Sequence, residues 1–276
     1  MTKILVTTDF SANSKAAVRF AIQLASQHKY ELTFFHSYYI LKPFSWNDVE
    51  FENYEREAAT KISTELERFV LSIYKSAGTK PKNIKCVVYR SITPEDGIME
   101  YAGDNNFNFI CISTRGAGEF KKLFGTHTSY LINHSNVPVI AVPHLYRYKE
   151  LTHILYASDL SHLDVELNKV VSFSKPLKAR VELLHMSYLF EEDSNKFIIN
   201  ESLKKISGTK IELNLHNMDL SGSLISNLEK IIKKSKPSLL IMFTENKNFF
   251  TDLFSSGETA GYSFITKIPL LVFKRT

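Results

Sequence analysis

The chain repeats itself, and that repeat limits its possible folds more than any other feature. Near the start stands Ile4-Leu5-Val6-Thr7-Thr8-Asp9-Phe10-Ser11, and near the middle Ile154-Leu155-Tyr156-Ala157-Ser158-Asp159-Leu160-Ser161. Both read as a short apolar strand, two small residues, an aspartate, an apolar residue and a serine. The match continues in order. Leu32-Thr33-Phe34-Phe35-His36-Ser37 parallels Val181-Glu182-Leu183-Leu184-His185-Met186, with an Asp-to-His spacing of 27 residues in the first copy and 26 in the second. Each copy closes on a strand containing proline, Val137–Val142 and Ile268–Phe273. Three matches in one order argue for two tandem domains. The connector lies in Pro143 to Leu151, so the domains are expected over residues 1–146 and 150–276.

Within the first copy, strand and helix patterns alternate. Ile4–Thr8 reads as a buried strand, and Ser11 as the N-cap of the helix after it, its hydroxyl accepting from a free amide. Ala16, Ala17, Phe20, Ala21, Leu24 and Ala25 recur at helical spacing. Leu32–His36 is the second strand. Residues 42–52 read as a loop leading into a long helix with Tyr54, Ala58, Ile62, Leu66, Phe69 and Ile73 on its inner face. Trp46, in that loop, is expected over the sheet edge. Ile84–Tyr89, Phe109–Ser113 and Val137–Val142 complete the strands, with helices over Pro94–Ala102 and Lys121–Asn133. This alternation implies a parallel sheet covered on both faces, and right-handed crossovers make it doubly wound. The second copy is shorter, 110 residues from Asp159 to Pro269 against 129 from Asp9 to Pro138. The deficit falls mainly where Phe190–Lys205 replaces the long helical segment.

Composition narrows the function classes. The net charge of +5 is spread, with 16 Lys+Arg against 14 Asp+Glu in residues 1–146 and 18 against 15 in the rest. Neither half is a basic block, so charge does not point to nucleic acid. No run approaches the roughly 18 apolar residues of a membrane span, and the first residues enter a strand pattern without a signal-peptide core. Only two cysteines are present, Cys86 and Cys111, which suits reduced thiols in a cytoplasmic protein.

In an open parallel sheet, ligands bind outside the carboxyl ends of the strands, where the strand order reverses. Thr7-Thr8-Asp9, Ser37 and Ser113-Thr114-Arg115-Gly116 should meet there, the last leading to Gly125-Thr126-His127-Thr128. Gly116 and Gly118 allow close backbone approach. Gly125-Thr126 precedes a helix pattern whose free amides would face an anion, and Arg115 adds positive charge.

This stretch resembles the signature of the universal stress protein family, Gly-two-Gly-nine-Gly-Ser/Thr, and the aspartate after strand one and the proline-containing last strand match the same family. The resemblance covers nearly the whole chain as two copies. It implies two tandem α/β domains of the adenine-nucleotide α-hydrolase-like type and a non-catalytic role in stress response. It also implies a site for ATP, AMP or ADP, with or without magnesium. By resemblance, Asp9 with Thr7 and Thr8 borders adenine and ribose, and Ser37 offers backbone groups to the adenine. Gly116, Gly125, Thr126, His127 and Thr128 hold the phosphates. The family typically associates through the last strand, which implies a homodimer or an internal pseudo-twofold pair through Val137–Val142 and Ile268–Phe273. Two features depart from the pattern. Ser113 stands at the first glycine, and eight residues rather than nine separate Gly116 from Gly125.

The second copy departs further. Phe243, Asn246 and Ser255 align with Ser113, Gly116 and Gly125, and Glu245 replaces Arg115, with Asp252 and Glu258 nearby. Like charges oppose a triphosphate there. Other readings stay open. Asp9 and Asp159 serve equally as caps of the following helices, and the glycines at 116, 118 and 125 as turn residues. His36 and His185 read as hydrogen-bonded core histidines, and His127, His134 and His144 lack metal-ligand spacing. An interaction module without nucleotide is the alternative function. An ATP pyrophosphatase is disfavoured, because Asp9-Phe10-Ser11-Ala12-Asn13-Ser14 after strand one holds no glycine.

Overall fold

The computed structural model describes residues 1–81, 83–114, 126–187, 192–206, 211–217, 219, 221–222, 224–245 and 268–275. These residues form two compact units, one reaching Tyr148 and the other running from Lys149.

The first unit contains β1 (Thr2–Thr7), α1 (Lys15–Gln27), β2 (Tyr30–Tyr38), α2 (Asp48–Ser76), β3 (Lys85–Arg90), α3 (Pro94–Asp104), β4 (Phe109–Ser113), α4 (Thr126–His134) and β5 (Val139–Val142). The strands lie in the order β3-β2-β1-β4-β5, all parallel. Ile4, Leu5, Val6, Phe34, Ile110 and Ile140 are fully enclosed. Helices cover both faces, so the strands read as continuous apolar runs rather than alternating ones.

The second unit contains β6 (His153–Ser158), α5 (Leu163–Ser174), β7 (Arg180–Ser187), α6 (Glu192–Lys204), β8 (Ile211–Asn217), α7 (Leu224–Ser235), β9 (Leu239–Thr244) and β10 (Leu270–Lys274). Its order is β8-β7-β6-β9-β10, again parallel. Two doubly wound parallel-sheet units of one topology follow, as the repeat predicts.

The duplication extends to single hydrogen bonds. Phe10 and Leu160 both sit at positive φ, 63° and 67°, a conformation costing roughly 1–2 kcal/mol for a residue with a side chain. In each case the next amide, Ser11 or Ser161, donates to the preceding aspartate at 3.0 Å. The amides of Phe10 and Leu160 donate to Thr8 Oγ1 and Ser158 Oγ. At the end of the second strand, His36 Nδ1 lies 2.8 Å from the Thr8 carbonyl and His185 Nδ1 lies 2.9 Å from that of Ser158. A carbonyl only accepts, so each ring carries its proton on Nδ1. The closing prolines serve alike. Pro138 accepts from Ile110 N and Pro269 from Leu240 N, positions where proline's missing N–H is tolerated.

Several local expectations shift. Ser11 does not cap α1. Its hydroxyl accepts from Ser14 N at 3.2 Å within a turn, and the helix begins at Lys15. The long helix begins at Asp48, inside the stretch read as loop. Asn47 and Glu50 form a reciprocal capping box there, each side chain accepting from the other's amide. Its inner face includes Leu66 and Ile73, with Phe51, Val70 and Tyr74, while Tyr54 is exposed. A helix of 29 residues is about 43 Å long and outruns the strands it covers. Trp46 meets Tyr54 edge-on at 5.0 Å, so it packs on α2 rather than over the sheet edge. The expected start of the fourth helix, Lys121 to Gly125, lies outside the described residues.

Candidate functional site

In the first unit the strand order reverses between β1 and β4, and a cleft of about 200 Å³ opens there at the carboxyl ends. A single water needs about 10–15 Å³ of such space, so the cleft has room for more than a solvent molecule. Thr7, Thr8 and Asp9 leave β1, Ser37 leaves β2, Ser113 ends β4, and His127 and Thr128 open α4; all line the cleft. These expected residues are thus brought together by the sheet. Arg115, Gly116 and Gly125 lie outside the described residues, and for Thr126 only the backbone, which starts α4, is described.

Most of the wall's hydroxyls are tied to the scaffold. Thr7 Oγ1 donates to the Cys111 carbonyl at 3.4 Å, Thr8 Oγ1 shares a 2.8 Å bond with Ser14 Oγ, and Ser113 Oγ donates to the Asn13 carbonyl at 2.7 Å. None of these three bonds runs to a histidine. Ser37 differs. Its Oγ is buried with no protein hydrogen-bond partner, a costly state unless something else satisfies it. Burial acts to raise the pKa of Asp9, but hydrogen bonds from Ser11 and Ser14 outweigh it and hold the carboxyl below its usual value. The aspartate therefore serves as turn anchor and as a fixed anion on the cleft wall.

Sequence reasoning missed several wall residues: Phe35, His36, Pro94 and Ile98 among them. Pro94 and Ile98 belong to α3, which follows β3 two strands from the switch point. The rule about strand ends covers that connection too, and Pro94-Glu95 at a helix start was the available signal. Glu95 meets His127 Nδ1 at 2.5 Å. Among the described residues no group of three or more side chains has metal-ligand placement.

The corresponding place in the second unit is built differently. Arg275, just beyond β10, sends Nη1 and Nη2 to the two oxygens of Asp159 at 2.9 and 2.6 Å. Its Nε donates to Glu166 at 2.5 Å and its Nη1 to Glu245 at 3.0 Å. Buried Tyr156 donates to the other Glu166 oxygen. Burial opposes ionisation of Asp159, but the Arg275 and Ser161 hydrogen bonds prevail and bring its pKa down to about 2. Phe243, aligned with Ser113, stacks on Phe273 at 4.9 Å. Of the carboxylates noted in the sequence, Asp159 and Glu245 are thus paired with an internal guanidinium that sequence reasoning missed. Asn246, Asp252, Ser255 and Glu258 lie outside the described residues.

A model of the universal stress protein family matches residues 1–143, more than half of the chain. The chain belongs to the universal stress protein family. Proteins of this family are characteristically non-catalytic regulatory modules. Among solved structures, a universal stress protein from Archaeoglobus fulgidus superposes with a TM-score of 0.70 at 18% identity, covering 99% of this chain and 98% of that one. A protein of unknown function from Pseudomonas aeruginosa PAO1 superposes at 0.56 and 13% identity, covering 99% and 92%. At these identities the likeness is one of fold, and it extends over both units. No curated protein matches the chain. Among the described residues no helix is long and apolar enough to cross a membrane.

Proposed function

We propose that the first unit, taken as residues 1–146, binds an adenine nucleotide. The chain then acts as a nucleotide-responsive regulatory protein of the stress response in a reducing, cytoplasmic setting. The observation carrying this reading is the cleft at the switch point, with an orphaned buried hydroxyl, Ser37 Oγ, on its wall. In this reading Asp9 accepts from the ribose hydroxyls, as an anion can. Ser37 and Thr8 border the adenine. The start of α4, with Thr126, His127 and Thr128, faces the phosphates. Arg115, Gly116 and Gly125 complete the phosphate loop. The second unit, taken as residues 150–276, is a nucleotide-free companion, because Arg275 already holds the aspartate a ribose would need. A second copy of the chain associates through the last strands, a point that light scattering after size-exclusion chromatography tests.

The test is thermal unfolding with and without ATP, AMP or ADP, with magnesium present or withheld, for wild type and Asp9→Ala. A ligand of the native state at about 100 times its Kd adds roughly 2.7 kcal/mol. Protection that Asp9→Ala abolishes supports the reading. A folded wild type unprotected by any of them refutes it and leaves an interaction module without nucleotide.

A further inference from the structure

The carboxyl end of β2 holds a hydroxyl that the scaffold leaves idle. Ser37 Oγ is buried and, among the described residues, has no hydrogen-bond partner. Thr7, Thr8, Ser14 and Ser113 line the same cleft, and each ties its hydroxyl to the scaffold. The duplicated half serves as an internal control. His36 and His185 make the same bond to the end of the first strand of their units, so Ser37 corresponds to Met186. There the position is apolar, in the unit whose aspartate Arg275 already holds. The topology therefore does not require a hydroxyl after the histidine. An unbonded buried hydroxyl also weakens the fold that carries it. Beside Ser37 the cleft is lined by Phe35, Pro94, Ile98 and Ile112, of which Phe35, Ile98 and Ile112 are buried. A polar atom among apolar side chains is the usual make-up of a small-molecule site. The apolar part takes a ring, and the polar atom fixes its orientation.

We infer that Ser37 is a specificity-determining residue of this cleft, its side-chain hydroxyl bonding the exocyclic group at carbon 6 of a bound purine. The inference rests on the nucleotide reading above. Serine moves among three staggered positions about one bond, so the hydroxyl meets the base without movement of β2. A hydroxyl both accepts and donates. It therefore serves the amino group of adenine and the oxo group of hypoxanthine alike. It disfavours a purine that carries only hydrogen at carbon 6, because that base leaves the hydroxyl unbonded.

The experiment is calorimetric titration of the full chain with adenosine, inosine and purine riboside, three nucleosides that share the sugar and differ at carbon 6. Thermal unfolding without ligand accompanies it. Wild type is expected to bind adenosine and inosine alike and purine riboside about fivefold more weakly, the size of one neutral hydrogen bond. Ser37→Ala should lower adenosine and inosine to the level of purine riboside, and change purine riboside less than twofold. The same variant should raise the unfolding midpoint of the free chain by about 3 °C, since it removes an unbonded buried group. A merely structural serine would lower that midpoint and leave the preference among nucleosides in place. Either of those results overturns the role of Ser37 and leaves the nucleotide reading standing. So does a wild type that binds purine riboside as tightly as adenosine, or inosine as weakly as purine riboside. A folded wild type that binds none of the three, yet is protected by an adenine nucleotide in the thermal assay above, overturns this inference alone. One that neither binds nor is protected overturns both.

Discussion

Replacing Arg275 by methionine should destabilise the second unit by about 3 kcal/mol. The guanidinium is 13% exposed and bonds Glu166, whose side chain is 2% exposed. Removing one partner of a buried pair typically costs about 3–5 kcal/mol, because the other charge is left without compensation. The contacts to Asp159 and Glu245 add little, since those side chains are 58% and 50% exposed and surface pairs are worth about 0–1 kcal/mol. Tyr156 still donates to Glu166, which places the expected loss near the lower end. The assay is urea unfolding at pH 7 followed by far-ultraviolet circular dichroism. With a slope of about 1–3 kcal/mol per molar, the midpoint of the second unit should fall by about 1 M or more. The double variant Arg275→Met, Glu166→Gln removes the stranded charge and should regain most of the loss. A single-variant cost under 1 kcal/mol, or a double variant no better than the single, would refute the account of Arg275 as counter-ion to a buried carboxylate.

Three other outcomes are expected. Asp159 has its pKa depressed from 3.8 to about 2 in the folded state, so its contribution is present above about pH 4 and is lost as the pH falls through about 2. Its exposure limits that contribution to the order of 1 kcal/mol, and Asp159→Asn should flatten the acid limb of a stability–pH curve by that amount. Gly97→Ala should cost about 1–3 kcal/mol, because the new methyl would stand 2.7 Å from Ser91 Cβ and 3.2 Å from the Tyr89 ring; the second change Ser91→Gly should recover part of it in the same denaturation assay. Lys178→Gly should stabilise by about 0.5–1 kcal/mol, since Lys178 is exposed, takes a φ of 53° after a short helical turn and loses only strain; a lower melting temperature for this variant would contradict that.

The topology was legible because burial on both sheet faces leaves apolar runs of strand length between helical periods. The repeat then supplied the second unit. The expected cleft residues from β1, β2, β4 and α4 were legible for a related reason. Strand ends in a parallel sheet must meet at one edge, so Asp9, Ser37, Ser113 and His127 could be brought together without knowing a single contact. Boundaries were less legible, because caps such as Asn47 with Glu50 set them through two or three local bonds rather than through periodicity.

By itself, then, the sequence determined the duplicated α/β architecture and the neighbourhood of the first site, since hydrophobic periodicity and strand connectivity act along the chain. Only the tertiary structure decided what lies within the two neighbourhoods. Arg275 reaches Asp159 across 116 residues, and Glu95 reaches His127 across 32. Whether a charge meets a ligand or a partner from its own chain depends on side-chain direction and distance at the sheet edge. Electrostatic energy varies inversely with the separation of the charges, and no spacing in the sequence records that separation.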